Sequence, residues 1–270
     1  MKLKYLGTAA AEGFPAIFCN CDYCKEARRL GGKNIRTRSQ ALVNDDLLLD
    51  FPADTYMHFL NNNVEGDKIK YLFITHSHSD HLYTKELNLR GGAYAHNVRH
   101  DELKVFGCSD VAEKIGEIWY NASLTVLQPF ETVTLDEYEV TALSARHNQS
   151  GGGGFIYIIK GDKTLLYAHD TGYFLDETLD YIKDNKIVFD MISLDCTCVD
   201  IPVDDTASHM GLDNIRRLLK VLKEFGAVIN DTVICVNHFS HNANPVHSVI
   251  EEKVKDIGAV VSYDGLVIEF

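Results

Sequence analysis

The stretch ITHSHSDHL, Ile74 to Leu82, places His76, His78, Asp80 and His81 within six positions directly behind the apolar run YLFI. Imidazoles and a carboxylate at this density are costly to bury unless they are paired or hold a cation. YLFI reads as a strand, so it must finish at an edge where these side chains can converge. The ordinary alternative is a polar surface loop. Three other positions argue against it: His147 follows VTALSA, Asp170 ends TLLYAHD, and His238 follows TVICVN. Strand ends gathered along one sheet edge bring distant residues to a point and hold them rigidly. Imidazole and carboxylate donors without a nearby thiolate suit zinc, manganese or iron, and this set divides into two cation sites.

At 270 residues and 46% hydrophobic content the chain can fill a sizeable core, and residues 1–270 read as one domain. No linker, charge block or solenoid repeat divides it. No run approaches the ~18 apolar residues of a membrane span, and MKLKYLG alternates like a strand, so a cytoplasmic protein without a membrane partner is expected. A formal net charge of -13 disfavours nucleic acid as a partner. A homodimer is left open.

The first half reads as short strands at Leu3–Leu6, Ala41–Val43, Leu47–Asp50 and Tyr71–Ile74, with a helix after Asp54 and another over Ser109–Trp119 in which Ser109 is the N-cap. GFIYIIKGDKTLLYAHD is a hairpin signal turning at Gly161-Asp162. Leu212, Ile215, Leu219 and Leu222 mark an amphipathic helix stopped near Gly226. The strand TVICV, a helix from about Pro245 and two final strands follow. This order predicts an α/β fold in which helices cover sheets. SGGGG, Ser150 to Gly154, is either a movable flap near His147 or a hairpin end that needs positive φ. His58, His96, His100 and His247 have no comparable context and read as structural or surface residues. His169, beside Asp170, has no assigned role.

Seven cysteines is an odd count, and in a reducing compartment thiols bind metal or pack more often than they pair. FCNCDYC sets Cys19, Cys21 and Cys24 at C-x-C-x-x-C spacing, which favours one tetrahedral zinc in a loop at about 19–24. Spacing alone leaves the fourth ligand open among Cys108, Cys196, Cys198, Cys235 and several histidines.

The H-x-H-x-D-H motif, followed by His147, Asp170 in a D-T-G turn and His238, resembles the metallo-β-lactamase superfamily over nearly the whole chain. The resemblance implies an αββα sandwich of two mixed β-sheets with helices on the outer faces. It places His76, His78 and His147 on one cation, Asp80, His81 and His238 on a second, and Asp170 between them. One departure is LDFP, where Pro52 replaces the glycine of the usual Asp-x-Gly, which leaves Asp50 as a possible partner of a ligand. GTAAAEGFPA…CNCDYC together with NHFSH is similar to the phosphoribosyl cyclic phosphodiesterases, whose relatives include a protein of pyrroloquinoline quinone biosynthesis. That likeness makes His241 the fourth ligand of the Cys19, Cys21 and Cys24 zinc. It also sets His209 over a substrate phosphate, against the plainer reading of a helix-capping histidine.

Two divalent cations about 3.5 to 4 Å apart share a water, lower its pKa toward ~7 and supply hydroxide at neutral pH. The expected function is therefore a phosphodiesterase on a small cyclic or diester phosphate. His209 and Asp80 are its catalytic side chains, and His209 hydrogen-bonds phosphate or protonates the leaving alkoxide. Arg36 and Arg38 in IRTRSQ are candidates to guide the phosphate. One alternative is a transfer-RNA 3′-end endonuclease, which NHFS suggests and the following HNAN and the net charge oppose. Lactone, thioester and β-lactam hydrolysis use similar metals. A non-catalytic metal-binding or carrier protein is the reading from a different class.

Overall fold

Residues 1–117, 121–147 and 153–270 are described in a computed structural model of the chain. In chain order the elements are β1 (Lys2–Gly7), α1 (Asp22–Leu30), β2 (Gln40–Val43), β3 (Leu47–Leu49), α2 (Thr55–Asn62), β4 (Tyr71–Phe73), β5 (Leu103–Gly107), α3 (Ser109–Ile115), β6 (Ala122–Val126) and β7 (Thr132–Thr134). There follow β8 (Glu139–Ala145), β9 (Gly154–Lys160), β10 (Thr164–Ala168), α4 (Asp176–Asp184), β11 (Met191–Asp195), α5 (Leu212–Glu224), β12 (Val233–Asn237), α6 (His247–Lys253), β13 (Val260–Val261) and β14 (Val267–Glu269).

The strands form two sheets of seven among the described residues, in the orders β14-β1-β2-β3-β4-β5-β6 and β13-β12-β11-β10-β9-β8-β7. Each is mixed: β3 to β6 pair in parallel in the first, β10 to β13 in the second, and the other neighbours are antiparallel. The apolar runs explain the layering. In β9, Phe155, Tyr157 and Ile159 join a core shared with Leu3, Tyr5, Leu72 and Phe73 of the first sheet. The alternate residues Ile156 and Ile158 join a second core with Ile215, Leu218, Leu219 and Leu222 of α5. A strand buried on both faces must be apolar at nearly every position, while period-two geometry divides its residues between the two layers. The result is the αββα sandwich, with α5 covering the second sheet and α2 and α3 lying against the first.

Parallel pairing aligns the C-terminal ends of β3 and β4 in the first sheet and those of β10, β11 and β12 in the second, and the donor groups that join residues beyond both sets place them at a common edge. Because β8 is antiparallel to β9 and β9 to β10, β8 ends there too. Residues that follow β3, β4, β8, β10, β11 and β12 therefore meet.

Several elements differ from the sequence reading. Cys108, not Ser109, is the N-cap of α3, and the helix ends at Ile115 because Gly116 turns left-handed at φ +63°. Trp119 lies outside the described residues, as do Ser150, Gly151 and Gly152. Gly153 has φ +65° and leads into β9. The helix α1 was not foreseen because only Cys24 and Ala27 of its residues are buried, which leaves no apolar stripe to read. The edge strands β6 and β7 are largely exposed or half-buried and lack the pattern of the inner strands. The final strand β14 crosses to the first sheet and pairs with β1. Among the described residues no helix is long and apolar enough to cross a membrane.

Candidate metal centres

Where β3 ends, the chain turns sharply. Asp50 adopts φ +65° and is fully buried. Its Oδ1 accepts from the backbone N–H of Thr75 at 2.8 Å and from the Thr75 hydroxyl at 2.9 Å, and its Oδ2 accepts from His81 Nδ1 at 2.7 Å. The second sheet fixes the same turn, since Phe155 N–H donates to Thr75 O at 2.8 Å and the Tyr157 hydroxyl to Ile74 O at 2.6 Å. The loop behind β4 is thus held before any of its donors is counted.

All seven donors named from the sequence meet there. His76, His78, His147 and Asp170 form one group whose donor atoms lie within 4.8 Å of one another, and Asp80, His81, Asp170 and His238 form a second under the same limit. Asp170 belongs to both, joins Asp195, His209 and His238 in a further group under the same limit, and is itself left-handed at φ +52°. Its Oδ2 is 3.1 Å from His76 Nε2 and 3.3 Å from His81 Nε2, while Oδ1 is 3.2 Å from His147 Nδ1.

These contacts fit cations better than hydrogen bonds. His76 Nε2 and Asp170 Oδ1 are buried and have no hydrogen-bond partner. His238 Nδ1 donates to the Thr197 hydroxyl at 2.7 Å, which donates in turn to Asp195 Oδ2 at 2.9 Å. With the His81 Nδ1 proton likewise committed to Asp50, the two Nε2 atoms face each other at 3.3 Å, a contact that requires a proton or a cation between them. His147 Nε2 lies 3.2 Å from His78 Nδ1. Nitrogens that share a tetrahedral ion at ~2.0–2.1 Å are themselves about 3.3 Å apart. The pKa directions carry the same demand for positive charge. Burial would raise Asp170, but His238, His76 and His209 hold it well below the usual carboxylate range. Burial would lower His81, yet Asp50, Asp170 and Asp80 raise it well above its ordinary value. His76 has less compensation, and burial brings it down to about 4.

His209 stands at the wall of a cavity of about 410 Å³ that opens onto both groups. Its Nδ1 is 3.0 Å from Asp170 Oδ1 and 3.4 Å from Asp195 Oδ2. Burial opposes its charge, but these two carboxylates lift its pKa to about 10. Asp195 closes β11, and the sequence reading passed over it although it obeys the strand-end rule that singled out Asp170. Its Oδ1 accepts from Met210 N–H at 2.9 Å, which secures the residue after His209. Glu12, Ser240 and Asn242 complete the outer wall. No Lys or Arg lines this cavity among the described residues. Arg36 is buried instead, bonded to Thr8 and Ser262 O and lying over the Phe239 ring, and Arg38 is paired with Asp54 at 3.0 Å. Neither guides a ligand into the cavity, because each guanidinium is already engaged in tying the N-terminal loop to the body.

A separate group joins Cys19, Cys21, Cys24 and His241, with donors again within 4.8 Å of one another. His241 Nδ1 lies 3.8 Å from Cys21 Sγ and 3.7 Å from Cys24 Sγ, close to the roughly 3.6 Å edge of a tetrahedral zinc with one nitrogen and three sulfurs. His241 hydrogen bonding lowers Cys21 to about 6, while burial raises Cys24 to about 11. Glu12 Oε1 accepts from the Ser240 hydroxyl at 2.6 Å and from His241 N–H at 3.2 Å, joining this loop to the cavity wall. His58 and His247 are buried in hydrogen-bonded surroundings, and His96 is exposed.

The profile of the Beta-lactamase superfamily domain matches residues 49–233, more than half of the chain. The chain belongs to this superfamily. The matched span holds Asp50 through His209, whereas the cysteine cluster, His238 and His241 lie outside it. Coenzyme PQQ synthesis protein B of Acinetobacter baylyi is 24% identical over 310 positions, covering all of both chains. A diphosphatase from the PhnP family shares the fold at a TM-score of 0.76 and 18% identity, over 100% of this chain and 97% of the other. Zinc-bound PqqB from Methylobacterium extorquens does so at 0.74 and 18% identity, over 100% of each chain. The superfamily binds divalent metals, and the donor clusters of this member fit that chemistry.

Asp50 offers a direct check on this superfamily member. Asp50→Asn keeps the shape but removes the charge behind His81. Zinc affinity measured against a chromophoric chelator is expected to fall about 10- to 100-fold. Unchanged affinity would show that His81 does not depend on this partner.

Proposed function

We propose that the chain is a dinuclear metal-dependent phosphodiesterase that acts on a small cyclic or diester phosphate. The observation that carries this reading is the pair of four-donor groups sharing Asp170, with His209 beside them in one cavity. His76, His78 and His147 would hold one divalent cation, Asp80, His81 and His238 the other, and Asp170 both. When bound, the pair supplies activated water and positive charge that offsets the phosphate. The protein's own part is positional. Asp50 and Thr197 orient His81 and His238, the cavity admits a small ligand, and, with no Lys or Arg among the described lining residues, the cations are the source of positive charge. Asp80, both ligand and catalytic residue in this reading, faces His81 Nε2 at 3.4 Å.

His209, oriented by Asp195, is placed to hydrogen-bond the phosphate or to give a proton to the departing alkoxide. His209→Ala is expected to lower turnover about 100-fold while the metal content stays intact. Unchanged turnover removes the role. The cysteine cluster with His241 would hold a third, structural zinc.

Metal analysis followed by assay on bis(p-nitrophenyl) phosphate and a ribose cyclic phosphate tests the whole reading. No hydrolysis of either diester with both cations bound would overturn it. That outcome would favour a non-catalytic metal-binding protein, a reading supported by the full-length likeness to coenzyme PQQ synthesis protein B.

A further inference from the structure

Asp170 and His238 both lie past the ends of their backbone ladders. The last pairing of β10 with β11 is Ala168 with Leu194, and the last of β11 with β12 is Asp195 with Asn237. Beyond those points both residues are left-handed, at φ +52° and +63°. Such conformations are costly for residues other than glycine and persist only where the surroundings enforce them.

Besides the 3.8 Å approach of His238 Nε2 to Asp170 Oδ2, a hydrogen bond between the preceding side chains spans this gap. Asn237 Nδ2 lies 3.0 Å from His169 Nδ1, so the residues immediately before the two donors are bonded to each other. The Ser262 hydroxyl donates to Asn237 Oδ1 at 2.5 Å, which turns the amide nitrogen toward His169. An amide nitrogen only donates, so His169 Nδ1 accepts and the imidazole proton sits on Nε2. That proton goes to Ser193 Oγ on β11 at 2.6 Å, and Ser193 Oγ meets the Tyr5 hydroxyl of the opposite sheet at 2.6 Å. His169 is buried, and its ring centroid is 3.8 Å from that of Tyr167. A ladder of side chains therefore crosses β10, β11 and β12 one residue behind the site and anchors in β1.

We infer that His169 and Asn237 are a positioning pair that keeps the Asp170 and His238 donors at cation-binding separation. The inference rests on the ligand roles proposed above for those two residues. Neither member belongs to a donor group, so the effect is read in metal affinity before any turnover.

The experiment is competition between the zinc-loaded chain and a chromophoric chelator, with thermal unfolding in parallel. His169→Phe keeps a ring but loses the hydrogen bonds to Asn237 and Ser193 and the longer one to Ser39. It is expected to weaken the zinc bound at the dinuclear site about tenfold, with zinc at the cysteine cluster unchanged as an internal reference. Tyr5→Phe, which unties only the far end, should stay within twofold of the natural chain. His169→Gln, which can still offer Asn237 an acceptor, should recover part of the affinity. Should His169→Phe not fold, Asn237→Ser carries the same tenfold expectation. Zinc held as tightly as in the natural chain, or equal weakening in the Tyr5 variant, overturns the inference. A natural chain that takes up no zinc at the dinuclear site counts against the metal reading instead.

Discussion

Asp170→Asn is expected to cut hydrolysis of bis(p-nitrophenyl) phosphate at least about 1,000-fold, a loss of about 4 kcal/mol, and to release cation from the dinuclear site. The magnitude follows from position. One buried carboxylate faces His76, His81, His147 and His209 at 3.0 to 3.3 Å and belongs to both donor groups. The amide keeps its volume but surrenders the charge, and a divalent ion bound chiefly by neutral imidazoles loses several kcal/mol of electrostatic stabilisation. The fold should survive, because the strands beneath are buried on both faces without this side chain. Metal content and kcat/KM measured on the same sample decide the matter. Two cations retained, with a rate within tenfold of the natural chain, would remove Asp170 from the bridging position proposed above.

The second large effect concerns the cysteine cluster. The residues around it make a poor core: Phe14, Ala16, Cys24, Ala27 and Val246 are its buried members, separate from the two main cores. So small an apolar cluster does not order a loop and helix α1 unaided, and metal binding contributes folding energy where a core cannot. Cys24→Ser removes a buried donor 3.7 Å from His241 Nδ1. The variant should bind one zinc fewer and melt about 10 °C lower, as expected from a loss of about 4 kcal/mol in a chain of this size. Limited proteolysis should cut near residues 11–25 first. Activity should fall as well, since Ala10, Ala11 and Glu12 of the same segment line the cavity. An unaltered melting temperature and zinc count would show that the thiols only pack.

The site was more legible than the fold around it, for a physical reason. His76, His147, Asp170 and His238 each stand just after an apolar run, and strand ends are the one kind of place where a local pattern announces a distant meeting. Asp195 follows the same rule at the end of MISL, but a lone aspartate there carries no neighbouring motif to mark it. Arg36 shows the opposite error. Sequence offers no sign that its guanidinium is buried against Phe239, since that depends on how residues 8, 262 and 247 come together. The ladder through His169, Ser193 and Asn237 was likewise unreadable, because it exists only in the register of three parallel strands. Helices α1 and α4 escaped for want of an apolar stripe, as most of each faces water.

The left-handed backbone at Asp50, Asp170 and His238 bears on how such a protein can be engineered. Each such conformation costs of order 1–3 kcal/mol, and glycine would relieve it while deleting the functional side chain. A library screened for heat resistance alone would therefore tend to enrich variants that have abandoned the centre. Selection for robustness and selection for metal binding pull in opposite directions at these three positions, and a screen that also demands metal uptake is the one expected to keep them.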